Sequence, residues 1–486
     1  MKARVFGGLL ALLVLGASTY LMRVGRPLEY VGGLTDEWFP IGCNLAVHQT
    51  MGLGKEPIVL RPPGYPAFIA IVLSVTTRVP AAIGLEYLQE AARPVLLVQA
   101  VLLAATAVLI FAWLTPRVGV RGALVAAALY GLNPYSLLLP GLLHYDVLHH
   151  FITVAGCIAL DRSLSASRPF IPLAGAGALW GVATLVRSVT LPLPVFVLGM
   201  IVARGYRGRR ALAAAVTFAA GMAVTVAPWT ARNYRVTGRL IPVNLQGWAA
   251  IWGSTVAPLR LDPNEFQWAG LAETQMQPIF RRATGADYAY SAYVRNNVAV
   301  EEAFKQAALE NLAARPGIYA WNVVRGFVSL SFQINTSLVS VYQRVQRTRE
   351  APSQSWFWAG QGAERRETLA SSAFGVLVGA LTILAVAGLA LGIARGDHFL
   401  LVPGLVCACM VLAHAVTFVD VMYYYLKVPF LVVFAAVGLE AVRERGTWLI
   451  RGRHIAVAGL LEASLVALAV GSAAAVVFTA ARNASP

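Results

Sequence analysis

Apolar runs of about twenty residues recur along this chain, punctuated by short basic clusters. Twenty residues of α-helix rise about 30 Å, the thickness of a bilayer's hydrocarbon core. Inside lipid, every backbone N–H and C=O must be satisfied within a helix or around a closed barrel. The alternating strands of an outer-membrane barrel, roughly ten residues each, are absent from the sequence. Only 13% of the 486 residues are charged, against about a quarter in a soluble domain. The chain is therefore expected to be an all-α polytopic membrane protein.

The runs at 5–22, 94–114, 122–140, 143–160, 170–186, 189–203, 211–228, 371–393, 399–418, 421–441 and 455–480 predict about eleven transmembrane helices. The first, behind Lys2 and Arg4, is read as a retained span rather than a cleaved signal peptide, because no small-x-small site precedes Arg23. The links between spans carry Arg117 and Arg121, then Arg162 and Arg168, then Arg204, Arg207, Arg209 and Arg210. A cytoplasmic N-terminus places all three links in the cytoplasm, as the positive-inside rule requires. Two long loops, 24–93 and 229–370, then face outward. Within the second, 286–314 reads as an amphipathic helix with Glu301, Glu302, Lys305 and Glu310 on its polar side. Residues 317–333 are read as an interfacial helix, which keeps Arg443, Arg445, Arg451 and Arg453 cytoplasmic.

The net charge of +16 fits orientation by loop arginines, with some of them meeting a phosphate-bearing lipid. Nucleic acid is not expected as a partner. Cys43, Cys157, Cys407 and Cys409 form no CxxC pair and read as small core residues, not as a disulfide framework or a zinc site.

Long loops between spans tend to carry function. Loop 24–93 holds the acidic pair Asp36 and Glu37, then Lys55, then Arg61-Pro-Pro-Gly-Tyr-Pro66. Thr35 would cap a helix from Asp36 to Met51, with Gly52 ending it. A carboxylate in that first turn either complements the helix dipole or serves as a general base toward an attacking hydroxyl. The proline-stiffened segment is either a rigid connector or a mount that holds Arg61 and Tyr65 toward a phosphate. Arg187, in a turn between two short apolar runs, either snorkels or acts at membrane depth. Asp146 and His150 share a helix face, and with His144 and His149 they form a polar cavity wall or a metal site. Pro228-Trp-Thr-Ala-Arg-Asn233 is either an interface anchor or part of the site. Tyr423, Tyr424 and Tyr425 read as a tyrosine belt, beside which Lys427 needs either a lipid phosphate or Asp420 as its partner.

Taken in order, these segments resemble membrane glycosyltransferases of the C-type (GT-C) fold. They are an early outward Asp, RPPGYPAF at 61–68, Asn133-Pro134 followed by Asp146, Leu185-Val-Arg187, PWxxRN at 228–233, and tyrosines ahead of Pro429. The order is similar to that of the superfamily of dolichyl-phosphate-mannose–protein mannosyltransferases and lipid A aminoarabinose transferases, over residues 1 to about 440. The resemblance implies a GT-C-like catalytic domain over 1–440, followed by a basic link and last helix over 441–486. It implies a polyprenyl-phosphate sugar donor, an acceptor hydroxyl on a protein, lipid or glycan, and an active site on the extracytoplasmic side of a membrane, here the bacterial inner membrane. Asp36 matches the family's catalytic acid residue, and Glu37 adjoins it. Lys55, Arg61, Tyr65, Asp146, Arg187, Arg232, Asn233, Tyr424 and Lys427 are the residues expected to bind substrate. Two positions depart from the family: Phe39 stands where a tyrosine is common, and Met422 or Tyr423 where an arginine is, which leaves Lys427 to supply the charge.

The expected reaction is a single inverting displacement, with Asp36 taking the acceptor proton and cations stabilising the leaving phosphate. No cofactor is demanded, although Asp36, Glu37 and the His144–His150 cluster would permit a divalent metal. A transporter or flippase of lipid-linked sugars is the rival, and a structural scaffold is a third class. Transporters keep polar groups near midplane and often show internal repeats. Here the charges gather at one face, in two long loops.

Overall fold

The computed structural model describes residues 2–24, 38–76, 85–256, 275–287, 297–332, 369–396, 398–417, 419, 421–444, 448–450, 453–455 and 457–484. Asp36, Glu37 and Asp420 lie outside the described residues. Those described form seventeen helices and two small β-hairpins. The protein is an all-α polytopic membrane protein. Five helices are long and apolar enough to cross a bilayer, and a bent pair, Pro134–Gly141 with Asp146–Leu164, makes a sixth candidate. Shorter apolar helices stand beside them at Gly64–Thr76, Phe170–Val186, Leu193–Ala203, Leu401–Thr417 and Leu461–Ala474.

The chain opens with α1 (Lys2–Val24), α2 (Trp38–His48), a β1–β2 hairpin (Gly52–Leu53 with Glu56–Pro57) and α3 (Gly64–Thr76). The next helix, α4 (Leu85–Gly131), would be about 70 Å long if straight, more than twice the hydrocarbon thickness. It is not straight. Gly119 takes φ 71°, ψ 170°, a conformation that favours glycine. A Cβ on Gly131 would stand 3.3 Å from that of Ala107, so the two halves lie back to back. Gly119 is therefore the tip of a helical hairpin, and its neighbours Arg117 and Arg121 flank the tip.

The run read as a span at 122–140 is broken. Helix ends at Gly131, and α5 (Pro134–Leu138) starts afresh, because Asn133 accepts from Ser136 N at 2.9 Å and Pro134 takes the first turn. A short 3-10 turn (Leu139–Gly141) follows, and the chain bends by 117° into α6 (Asp146–Leu164). Next come α7 (Phe170–Val186), a 3-10 turn (Ser188–Thr190), α8 (Leu193–Ala203) and α9 (Gly208–Thr237).

Lipid tails are as apolar as leucine, so close backbone approach has to hold such helices together, and small residues allow it. A Cβ on Gly177 of α7 would collide with the Phe218 carbonyl of α9, and one on Gly221 with the Ala174 carbonyl. The same device joins α14 (Leu369–Ala394) to α16 (Val428–Glu444), through Gly388 against the Phe434 carbonyl and Gly438 against that of Leu384.

One end of the bundle is basic and tied by contacts. Arg117 lies over the Phe399 ring. Arg204 bonds the His398 carbonyl at 3.0 Å and Asp161 at 2.7 Å. Arg395 pairs with Glu444 at 2.8 Å. Glu462, near the start of α17 (Val457–Ala484), takes Arg121 at 2.9 Å and also Arg443. Arg117, Arg121, Asp161, Arg204, Arg395, His398, Phe399, Arg443, Glu444 and Glu462 thus share one face.

Described parts of the two long loops pack against one another. After α9 come α10 (Gly247–Val256), α11 (Gln277–Thr284), α12 (Asn297–Ala314) and α13 (Pro316–Phe332). Ile41, Met51, Ile58 and Leu60 from the first loop share one buried cluster with Ala249, Trp252, Phe280, Val300 and Phe304 from the second. Groups in contact lie on one side of the membrane, so these parts of the two loops do too. Helix α13 packs along α15 (Leu401–Thr417): Tyr319 donates to the Val416 carbonyl at 2.7 Å, and Gly326 abuts Ala415 and Val419.

Candidate active site

The 3-10 turn after α7 is where its polar ends converge. Arg187 caps α7 with extended backbone (φ −150°, ψ 116°), its N–H bonding the Ala183 carbonyl at 2.8 Å. Leaving helical geometry there turns the side chain inward, where it is 5% exposed. It meets Asp146, the first residue of α6, at 2.9 Å between Nη1 and Oδ1. A carboxylate at a helix start is favoured by the dipole, and the buried guanidinium supplies the countercharge that burial demands. His144 Nδ1 stands 3.1 Å from the other oxygen, Oδ2, without the alignment of a hydrogen bond.

Aromatic rings line both sides of Arg187. Its guanidinium lies 4.9 Å from the Tyr145 ring and 5.0 Å from that of Tyr423, which belongs to a 3-10 segment (Val421–Lys427). Tyr423 in turn stacks on His414 of α15 at 3.8 Å. On the other flank Tyr145 meets Trp38 at 5.2 Å, edge to face, and Trp38 carries Arg61 at 5.0 Å. The result is a continuous file: Arg61, Trp38, Tyr145, Arg187, Tyr423, His414. Each cation lies within the range of a cation–π contact. The file runs from the first loop to the last third of the chain.

The RPPGYP segment is fitted to this file. A Cβ on Gly64 would stand 2.7 Å from the backbone nitrogen of Val186 and 2.8 Å from the carbonyl carbon of Leu185. The glycine thus lets α3 begin directly against the residues before Arg187. Tyr65 is buried beneath, donating to Gln99 Oε1 at 2.8 Å, while Gln99 Nε2 bonds the carbonyls of Pro140 and Leu142 at 3.0 and 2.7 Å. Those bonds hold the bend that delivers His144, Tyr145 and Asp146. Asp146 and Asp161 lie fifteen positions apart on α6, so the file stands about 22 Å from the basic face.

No protein-family model matches this chain, and no curated protein does. Among solved structures, the oligosaccharyltransferase of Archaeoglobus fulgidus in its apo form superposes with a TM-score of 0.52 and 13% identity, over 99% of this chain. This chain covers 56% of the length of that enzyme. The archaeal oligosaccharyltransferase AglB from Archaeoglobus fulgidus, in complex with an inhibitory peptide and a dolichol-phosphate, gives 0.48 and 13% over 98% of this chain and 56% of its own. ArnT from Cupriavidus metallidurans bound to undecaprenyl phosphate gives 0.37 and 17% over 90% and 77%. The first of these likenesses exceeds 0.5, and at 13% identity it speaks to fold alone. The chain has the GT-C fold.

Within this fold the residues expected to bind substrate do not all come together. Arg61 and Arg187 stand in the file with the Trp38 and Tyr145 rings between them, and Asp146 pairs with Arg187. Others are tied to the scaffold. Arg232 donates to the carbonyls of Ile58 at 2.7 Å and Met51 at 3.0 Å, and Asn233 to those of Ile241 and Val243 at 3.1 and 3.0 Å. Lys427 bonds the Leu330 and Ser331 carbonyls at 2.7 and 3.2 Å, at the end of α13, where a cation suits the last carbonyls. Tyr424 bonds Ser329. Lys55 sits in the exposed turn between β1 and β2. Among the described residues no three His, Cys, Asp or Glu side chains converge as a metal site would require.

Sequence reasoning missed Trp38, Tyr145 and His414 as site residues. Trp38 directly follows the acidic pair, and Tyr145 directly precedes Asp146. His414 interrupts an apolar run, and an ionisable residue there is itself a signal.

Proposed function

We propose that this protein is a membrane glycosyltransferase. It moves a sugar from a polyprenyl-phosphate-linked donor to an acceptor hydroxyl at the extracytoplasmic face. The carrying observation is that Arg61 and the Arg187–Asp146 pair, from three separate motifs, are joined through the Trp38 and Tyr145 rings at the end of the bundle remote from the basic links. By the positive-inside rule that end is extracytoplasmic, which in a bacterium means the outer side of the inner membrane. Arg187 and Arg61 take the donor phosphate, since a planar guanidinium matches phosphate oxygens and stabilises the charge left as the sugar departs.

Asp36 is the base. It receives the acceptor proton as the hydroxyl attacks the anomeric carbon from the face opposite the phosphate. The bond from that carbon to the phosphate oxygen breaks, and configuration inverts. Asp36 and Glu37 immediately precede Trp38, the aromatic link of the file.

The test is transfer of labelled sugar from polyprenyl phosphate by the full chain in lipid nanodiscs. Asp36→Asn is expected to lower turnover by about 10²- to 10⁴-fold. Undiminished transfer by Asp36→Asn together with a dead Glu37→Gln would move the base to Glu37. Vesicles that flip the lipid without any transfer would replace the transferase with a carrier.

A further inference from the structure

Both terminal nitrogens of Arg187 are engaged. Asp146 Oδ1 accepts from Nη1 at 2.9 Å, and His414 Nε2 lies 3.2 Å from Nη2. Arginine has five N–H donors and no acceptor, so His414 must be the acceptor at this contact. Its imidazole is then the neutral tautomer with the proton on Nδ1. The ring is also fixed in a second direction, stacked at 3.8 Å and 21° on Tyr423. On α15 its neighbours are Val411, Leu412, Ala413, Ala415 and Val416, all apolar. An ionisable residue among such neighbours is costly without a partner. Here the partner comes from a residue 227 positions away in sequence.

We infer that His414 is a positioning residue for the donor phosphate. With Asp146 it holds the Arg187 guanidinium by both terminal nitrogens, so that the N–H bonds left over face the ligand in one orientation. This rests on the reading of Arg187 given above. Asp146 alone would fix one corner of the planar group and leave it free to pivot about that corner. The second acceptor removes the pivot. Asp146 also supplies the countercharge, which His414 as a neutral acceptor does not. A guanidinium locked before the ligand arrives loses less freedom on binding, which is how a supporting residue raises affinity without touching the ligand.

The experiment measures binding of undecaprenyl phosphate, without sugar, to the detergent-purified full chain by native mass spectrometry, with melting temperatures recorded alongside. His414→Leu is expected to weaken binding about ten- to hundredfold, the fold-change of one hydrogen bond to a charged group. His414→Gln, whose amide oxygen can accept from Nη2, is expected to recover most of it. Equal binding by His414→Leu and wild type, or no recovery by His414→Gln, overturns the positioning role. Arg187→Gln separates that failure from the failure of the reading beneath it: wild-type binding by Arg187→Gln overturns both. If His414→Leu loses its melting transition, His414→Met, which fills the space without a strong acceptor, takes its place in the comparison.

Discussion

Asp146 and Arg187 are each almost wholly buried, and their charges cancel. Removing one partner of such a pair strands the other in a low-dielectric setting, at a cost of about 3–5 kcal/mol. Asp146→Ala is therefore expected to lower the melting temperature in detergent sharply. The double variant Asp146→Asn with Arg187→Gln should regain most of that stability and still fail to transfer sugar. A double variant as unstable as the single one would show that charge compensation is not what the pair supplies. Arg187 was legible because an ionisable residue between two apolar runs calls for a reason. Its partners were not, because periodicity gives a residue's face and not its neighbour. Arg232 and Lys427 show the limit most clearly. A cation meant for a lipid phosphate and one meant for backbone carbonyls look alike in sequence, and both of these bond carbonyls.

Helices were legible as elements wherever an apolar run ended in charge. The starts of α6 and α7 fall within three residues of the expected 143 and 170. Missed were the interruptions whose cause is local stereochemistry rather than polarity: the Asn133 cap that breaks one run, and the bend held by Gln99. Gly64 sets where one such element begins. Its lack of a Cβ lets α3 start against Val186. Gly64→Val would force the RPPGYP segment away from the turn bearing Arg187, and overpacking of this kind costs about 1–3 kcal/mol. The expected outcome is normal membrane insertion with at least a tenfold loss of transfer; an unchanged rate would show that this close approach is not needed. Arg232 holds another element in place. Its two bonds to the Met51 and Ile58 carbonyls fasten the β1–β2 hairpin to α9. Arg232→Ala should open residues 49–58 to limited proteolysis, a change that gel mapping of the fragments would reveal.

The positive-inside pattern leads to the expectation of a basic end and an opposite end made of loops. Contacts among Arg121, Arg443 and Glu462 join links that lie far apart in sequence. Reading 317–333 as interfacial is the choice that keeps those links on one side. Single cysteines at Lys55 and Lys305, placed in a background without the native thiols, are expected to react with an impermeant maleimide from outside intact cells. Cysteines at Arg121 and Arg209 should react only after permeabilisation. Labelling of Lys55 and Arg121 positions from the same side would refute the two-faced arrangement.

The shared core of the two loops also sets an order of events during synthesis. Ile41, Met51, Ile58 and Leu60 find their packing partners only once Ala249 and the residues beyond it have been made, roughly 190 positions later. At about 5–20 residues per second this is a wait of some 10–40 s. Throughout that interval the N-terminal half of the cluster is apolar and lacks its partners from the second loop. This part of the first loop cannot complete its packing as a local event, and a nascent chain halted before residue 249 would leave Ile41, Met51, Ile58 and Leu60 without those partners.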